Sequence, residues 1–449
     1  MGRWRDGLAM EEAGAGAVSE PVPPERKTMR MDRVFWSHFS PNLGPGGWVT
    51  GVLLVHLGLG FWSGLAAILV GNLVGALPVA LAAAIGPVTG LPQMEASRRA
   101  LGRQGLRLPA FLNWIYCIGW DAVNNVPAAV ALIALLALGG VGAPFWLALG
   151  VLAAIQMVAS IYGHDVVQAL QKYLGALLLV TLGAIGILVL VRAGGVPHAA
   201  HAPGAAVFVL ATAILASFNL SWASYSSDYT RYLPAGSDPK RVVRLALFGL
   251  LGSAVPFQIL GLLTASASAE ASPTAVINGL AQQAGWLGPV VLGAIALSSI
   301  TGNSFNDNTA SYSLISAGIR VPRVWAAIVT ASIGYGLAVA GAGHYADLYA
   351  SYLVMTLYWI APWIGIVLAD WYLVHDRRPL SDPPGWTRGA TIFVVTAVLT
   401  ISLFSVSDLY TGPVARLLGG ADIGYYVGFA VAALWYAAGR KTARVGTSA

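Results

Sequence analysis

The chain has 449 residues, of which 57% are hydrophobic and only 10% charged, against roughly 25% charged residues in soluble domains. Its net charge of +6 does not signal nucleic acid, because 23 of the 25 Lys and Arg fall in alternate connectors between long apolar stretches. A single cysteine, Cys117, excludes a disulfide framework within one chain.

Residues 1–33 hold charges, Gly and Pro without an apolar core, which predicts a disordered tail and not a signal peptide. A bilayer crossing takes about 20 mostly apolar residues. Twelve stretches qualify: 34–58, 61–86, 109–138, 144–163, 168–192, 205–226, 242–265, 287–317, 324–342, 347–374, 389–407 and 422–438. The positive connectors are those before residue 34 and at 86–108, 164–172, 227–244, 319–323, 375–388 and 439–449; the opposite side keeps only Arg192 and Arg416. The positive-inside rule then predicts a multi-pass protein of the cell membrane with both termini, including a tail at 439–449, in the cytoplasm. The fifth and eleventh segments are plain aliphatic runs and read as scaffold.

Two segments break the pattern. The first contains Ser-Pro-Asn-Leu-Gly-Pro-Gly-Gly (40–47), which cannot stay in an unbroken helix, since Pro removes a donor and Gly removes stiffness. The sixth runs into the polar and aromatic stretch SFNLSWASYSSDYTRYLP (217–234). Ser40-Pro41-Asn42-Leu43 and Ser217-Phe218-Asn219-Leu220 form a short echo. Interrupted helices at matching places in two halves point to the binding site of an inverted-repeat transporter. The all-α membrane fold expected is therefore a 5+5 repeat, 34–192 and 205–374, with helices 1 and 6 broken and 389–438 peripheral.

Acids inside a span need a reason, because a charge near the bilayer centre costs roughly 2.5–3.5 kcal/mol on insertion scales. Asp121 sits in WIYCIGWDAVNNVPAA (114–129) and Asp307 in SSITGNSFNDNTASYS (298–313). Amides and hydroxyls in such clusters also serve as packing contacts between helices. Trp120 and Asn124 are four residues apart and share a helix face, with Asp121 and Asn125 on the adjoining one. An indole beside a carboxamide can stack on a flat heterocycle and hydrogen-bond its edge. Asn303, Asn306, Asp307 and Ala310 form one stripe, with room for a ligand beside the small residue. Asp228 with Arg231, Glu95, Asp370 and Asp376 lie near the positive side, as solvated groups or gate ion pairs. His56 reads as an interfacial hydrogen bonder.

At these residues the chain resembles the nucleobase–cation symporter family of purine–cytosine and hydantoin permeases. The match is carried by FWSHFSPNLG (35–44), GPVTGLPQMEASRRALGRQG (86–105), LNWIYCIGWDAVN (112–124) and SWASYSSDYTRYLP (221–234), with NSFNDNTASYSLISAGIRVPR (303–323) fitting the eighth helix. The resemblance implies the leucine-transporter fold and alternating access. It implies a heterocycle sandwiched between Trp120 and Trp222, with Asn124 at the ring edge and Ser221 approaching through its backbone. Asn42 joins the substrate set from the broken first helix, and the eighth-helix amide falls among Asn303, Asn306 and Asn308. For a coupling sodium ion the family pattern offers Asn42, Leu43 and Ser304, but Phe305 stands where a second hydroxyl belongs; a shifted register offers Ser298, Ser299 or Thr301. For a coupling proton the acids are Asp121 and Asp307.

These features predict a symporter importing a small planar nitrogen heterocycle, a nucleobase such as cytosine or a purine or a related pyrimidine, with a hydantoin, allantoin or hydroxymethylpyrimidine as the alternative, coupled to Na+ or H+, acting as a monomer, with no other cofactor and no nucleic-acid partner. A membrane enzyme fits poorly, because the chain lacks HExxH, G-x-S-x-G and phosphate-loop patterns. A channel would need a continuous polar pore, whereas the polar residues cluster at mid-depth. A non-transporting sensor on the same fold would show no cation-dependent uptake.

Overall fold

A computed structural model describes residues 20–161, 164–192, 204–265, 273–319, 321–375, 385–406 and 410–445. These residues are helical throughout, apart from their connections and a lone bridge between Val406 and Thr411.

The first segment is broken as its sequence demands. Helix α1 (Asp32–Phe39) ends in a 3-10 turn at Ser40–Asn42, and the chain leaves the helix at Leu43 and is extended at Gly44 before α2 (Pro45–His56). Pro45 opens α2 at its first position, where a missing N–H costs nothing. Helices α3 (Phe61–Ala83), α4 (Arg107–Leu138), α5 (Phe145–Ile161) and α6 (His164–Arg192) follow. Helix α7 (Ala205–Leu220) then tightens into a 3-10 stretch at Ser221–Tyr225 and resumes as α8 (Ser226–Thr230). No proline causes this second break. Serine hydroxyls compete for the backbone instead, Ser221 Oγ donating to the Phe218 carbonyl at 2.8 Å.

The long helices that follow are α9 (Pro239–Thr264), α10 (Pro273–Ala284), α11 (Gly288–Ser316), α12 (Arg323–Gly341), α13 (Tyr345–Leu368), α14 (Arg388–Phe404) and α15 (Gly424–Val445). Helix α10 is an addition to the sequence-based expectation. It lies in the connector between the seventh and eighth segments and buries Val276, Ile277, Leu280 and Ala284 against α4 and α11. Among the described residues, seven helical stretches are long and apolar enough to cross a membrane, and three shorter apolar helices lie in the fourth, fifth and eleventh segments.

Two packed groups build the body. The first, second, sixth and seventh segments form one: α2 packs on α9, and α3 on α7 and α9. The third, fourth, eighth and ninth form the other: α4 packs on α11 and α12, and α5 on both of these. Exchanging each segment for the one five places along leaves this pattern unchanged, since first-on-seventh becomes sixth-on-second and third-on-ninth becomes eighth-on-fourth. Such invariance is the signature of a 5+5 repeat. Glycine makes the close approaches in both equivalent pairs. A side chain on Gly51 would run into the backbone of Gln258 on α9, and one on Gly75 into the backbone of Ala216 on α7.

The N-terminal stretch departs from the expected disordered tail. Val22 N–H bonds to the Gly90 carbonyl (2.9 Å), Met29 N–H to the Tyr232 carbonyl (3.0 Å) and Lys27 Nζ to the Pro87 carbonyl (2.8 Å). Each bond satisfies a backbone carbonyl of the 86–108 or 227–244 connector, and Met29 fills the apolar cluster beneath. Residues 1–19, residues 446–449 of the C-terminal tail and Asp376 lie outside the described residues.

Candidate substrate site

A cavity opens at the seam between the two groups, where both helix breaks meet α4 and α11. The broken first segment lines it with Pro41, Asn42 and Gly44–Gly47, α4 with Trp120, Val123, Asn124 and Pro127, and the second break with Phe218 and Trp222. Ser298, Ser299 and Gly302 of α11 and Tyr345 of α13 complete the wall. None of these residues is charged, so the lining suits a neutral ligand.

The two indoles are held, not loose. Trp120 stands edge-on to Tyr116 (6.2 Å between ring centroids) and Tyr352 (5.6 Å). Trp222 packs on Tyr225 (4.9 Å) and donates Nε1–H to Asn42 Oδ1 at 2.7 Å. That bond ties the two helix breaks together across the cavity. The Asn42 amide nitrogen is buried with no hydrogen-bond partner, leaving a donor at the wall of the cavity.

Behind Asn124 runs a chain of amides. Asn124 Nδ2 donates to Asn303 Oδ1 (2.9 Å), and Asn303 Nδ2 donates to Gln156 Oε1 (3.0 Å) and the Asp121 carbonyl (3.3 Å). Gln156 Nε2 donates to Asn125 Oδ1 (2.7 Å) and Ser299 Oγ (2.8 Å). Asn306 Nδ2 donates to Asn303 Oδ1 (3.3 Å), and Asn306 Oδ1 accepts from the Tyr225 hydroxyl. Asn308 is farther off, bonded to the Tyr229 hydroxyl at 3.2 Å.

Trp120, Asn124, Trp222 and Asn42 therefore come together at one cavity. The stripe of Asn303, Asn306, Asp307 and Ala310 is buried and does not line it; Gly302 lies at the wall instead, with Asn124 Nδ2 only 3.1 Å from where a side chain would begin. The Ser221 hydroxyl turns back to its own helix. Leu43 is buried in the apolar core beside Phe39 and Trp48. Of the eighth-segment hydroxyls, Ser298 faces Gly44 and Thr301 reaches the Ser40 carbonyl at 3.4 Å, while Ser304 donates to the Thr301 carbonyl at 3.2 Å. Sequence inspection missed Gln156. Its only signal is an amide alone in the aliphatic run 145–161. Asn219 of the echo does not mirror Asn42: it lies within α7 and joins Asn72 (2.6 Å), and Asn72 joins Gln258 (2.5 Å), a polar bridge across the second, sixth and seventh segments.

On the side of the 86–108 connector the cavity is closed. Phe305 packs on Tyr229 with centroids 3.7 Å apart. Asp228 of α8 accepts from the Gln93 N–H (2.8 Å) and the Thr309 hydroxyl (2.5 Å), so it clamps α8 to the connector and to α11. Its expected partner Arg231 instead donates to the Asp228 carbonyl (3.2 Å) and to the Tyr232 and Tyr312 hydroxyls (3.0 Å each). Arg99 pairs with Asp370 at 2.5 Å, and Asp370 also receives the Tyr436 hydroxyl (2.7 Å) and His375 Nδ1 (2.8 Å). Glu95, paired with Arg98 at 3.2 Å, has its carboxyl pushed above the usual range by burial, with Ser316 and Arg98 pulling the other way. Cys117 is buried, its Sγ 3.4 Å from the Tyr225 hydroxyl.

Residues 21–382 match the family model described as a permease for cytosine/purines, uracil, thiamine and allantoin. The chain belongs to this permease family. A candidate purine–cytosine permease of Bacillus subtilis is 28% identical over 93% of this permease and 94% of its own length. A purine–cytosine permease of Saccharomyces cerevisiae is 26% identical over 97% of this permease and 87% of its own length. Among solved structures, Mhp1, a nucleobase–cation-symport-1 family transporter in a closed conformation with bromovinylhydantoin bound, superposes with a TM-score of 0.78 at 16% identity over 94% of each chain. The fold is thus that of the leucine-transporter class, and the permease is a multi-pass membrane transporter of small heterocycles.

Proposed function

We propose that this permease imports a neutral nucleobase, of the cytosine or purine type, coupled to entry of a cation. The observation that carries the proposal is the uncharged cavity at the two helix breaks, walled by two braced indoles and the carboxamides of Asn42 and Asn124. Indole faces supply stacking for any flat ring, and the amides select among ring edges by donor and acceptor pattern. The substrates named for the relatives support the same class. The positive charge of the 86–108 and 227–244 connectors supports cytoplasmic termini and a closed cytoplasmic side.

The test is thermal unfolding of the purified permease with cytosine, uracil, adenine, hypoxanthine, hydantoin and pyridoxine, each with and without sodium. A ligand that binds only the folded state raises the unfolding temperature. Stabilisation by a nucleobase is the expected result. Stabilisation by hydantoin or pyridoxine alone would move the substrate assignment to that heterocycle, and no stabilisation by any of the six would overturn the class.

A further inference from the structure

The two acids expected for a coupling proton lie outside the cavity lining, buried between α4 and α11. Asp121 of α4 and Asp307 of α11 are 3% and 2% exposed, on helices packed against each other, where Asn303, one turn from Asp307, donates to the Asp121 carbonyl at 3.3 Å, and the two carboxyls act on one another electrostatically. Neither carboxylate oxygen of Asp121 makes a hydrogen bond of ordinary geometry. The groups acting on that carboxyl are Asp307 and Asn306 of α11. The other titratable neighbours are Cys117 on its own helix, Tyr352 of α13 and, one contact further, Tyr225 at the second break. Helix α12 brings Gly334 against it, where a side chain would collide with the Asp121 Cβ at 2.8 Å. Burying two acids side by side, in a site kept clear by glycine, is expensive as scaffold.

We infer that Asp121 and Asp307 form a carboxyl pair that holds a single exchangeable proton and carries it through the transport cycle as the coupling ion. Two carboxylates side by side away from water cannot both ionise, so the pair retains one proton between them. It binds that proton from water on one side of the membrane, forming an O–H bond, and returns it to water on the other. The amide chain links the pair to the ligand: Asn124 at the cavity wall bonds to Asn303, which bonds to the Asp121 carbonyl and to Asn306. A ring that recruits the Asn124 amide therefore shifts the groups that position the pair. The inference rests on the transport reading for its role, but its chemistry can be tested without substrate.

The first experiment is infrared difference spectroscopy of purified ligand-free protein, wild type against Asp121→Asn and against Asp307→Asn, in H2O and D2O at neutral pH. The expected result is a protonated-carboxyl C=O band that shifts in D2O and is lost or displaced in both variants. Absence of the band from wild type, or its persistence unchanged in either variant, overturns the inference. The second is uptake into liposomes of cytosine under an imposed pH gradient. Wild type should accumulate cytosine when the outside is acid, and both variants should still bind cytosine, by the same thermal shift, while losing acid stimulation. Acid stimulation retained in both variants, or accumulation by wild type that follows sodium alone, overturns it as well. Failure of wild type to bind cytosine counts against the choice of cytosine as substrate, and the infrared result then decides the carboxyl pair by itself.

Discussion

At the residue scale the site is a set of side chains held by neighbours outside the cavity. Trp120→Ala and Trp222→Ala should each weaken heterocycle binding by about 1–3 kcal/mol, the range for stacking on an aromatic side chain, as read by titration calorimetry. Unchanged affinity in either variant would remove that ring from the site. Trp222→Phe separates stacking from bracing, since it keeps a ring but frees Asn42 Oδ1. It should lose less affinity than the alanine variant, and an equal loss would assign the effect to the Asn42 bond. Trp120 and Asn124 were legible because a spacing of four puts an indole and an amide on one helix face. Gln156 was not legible: a lone polar residue in an aliphatic helix carries no pattern, and only the fold shows that it buttresses Asn303. The placement of Gly302 at the wall, in place of the asparagine stripe, likewise depends on the rotation of α11, which periodicity leaves open.

At the scale of elements, the two breaks have different causes and were legible to different degrees. Proline and glycine announce the first, whereas the second rests on serine hydroxyls and showed only as polarity in an apolar segment. Helix α10 escaped because its polar NGLAQQ stretch interrupts the apolar run. The glycine contacts predict a sharp steric effect. Gly75→Val places a branched side chain against the Ala216 backbone and should destabilise the protein by about 1–3 kcal/mol, the usual cost of overpacking; denaturant midpoints for Gly75→Ala and Gly75→Val should fall in that order. The connector offers a pH test. The folded Glu95 carboxyl titrates above its unfolded value because of burial, so the folded state binds the extra proton and stability falls as pH rises through that interval. Glu95→Gln should therefore gain stability relative to wild type as pH increases, and a constant difference across pH would show that Glu95 is not strained by burial.

At the scale of the whole molecule, two packed groups of helices meet at the cavity, and the polar clamps lie on one side of it. The positive connectors let the sequence place that side, but not its closure, since closure depends on pairings such as Asp228 with Thr309 that join residues 81 positions apart. Arg99 and Asp370 form a buried ion pair of this kind, 2.5 Å apart. Removing one partner of a buried ion pair costs about 3–5 kcal/mol, because the other charge is stranded. Arg99→Ala should thus lower the unfolding midpoint far more than Arg99→Ala combined with Asp370→Asn. Equal losses would mean that the pair is solvated in the membrane-embedded protein.

The lone thiol has a practical consequence. Cys117 is sealed where α4 meets the second helix break, against the Tyr225 hydroxyl. A buried thiol is inert to alkylating reagents, so any slow modification of the unaltered protein counts the moments when that seam parts. The permease thus carries its own clock for internal opening, readable by mass spectrometry without a label, and a ligand that seals the seam would slow it.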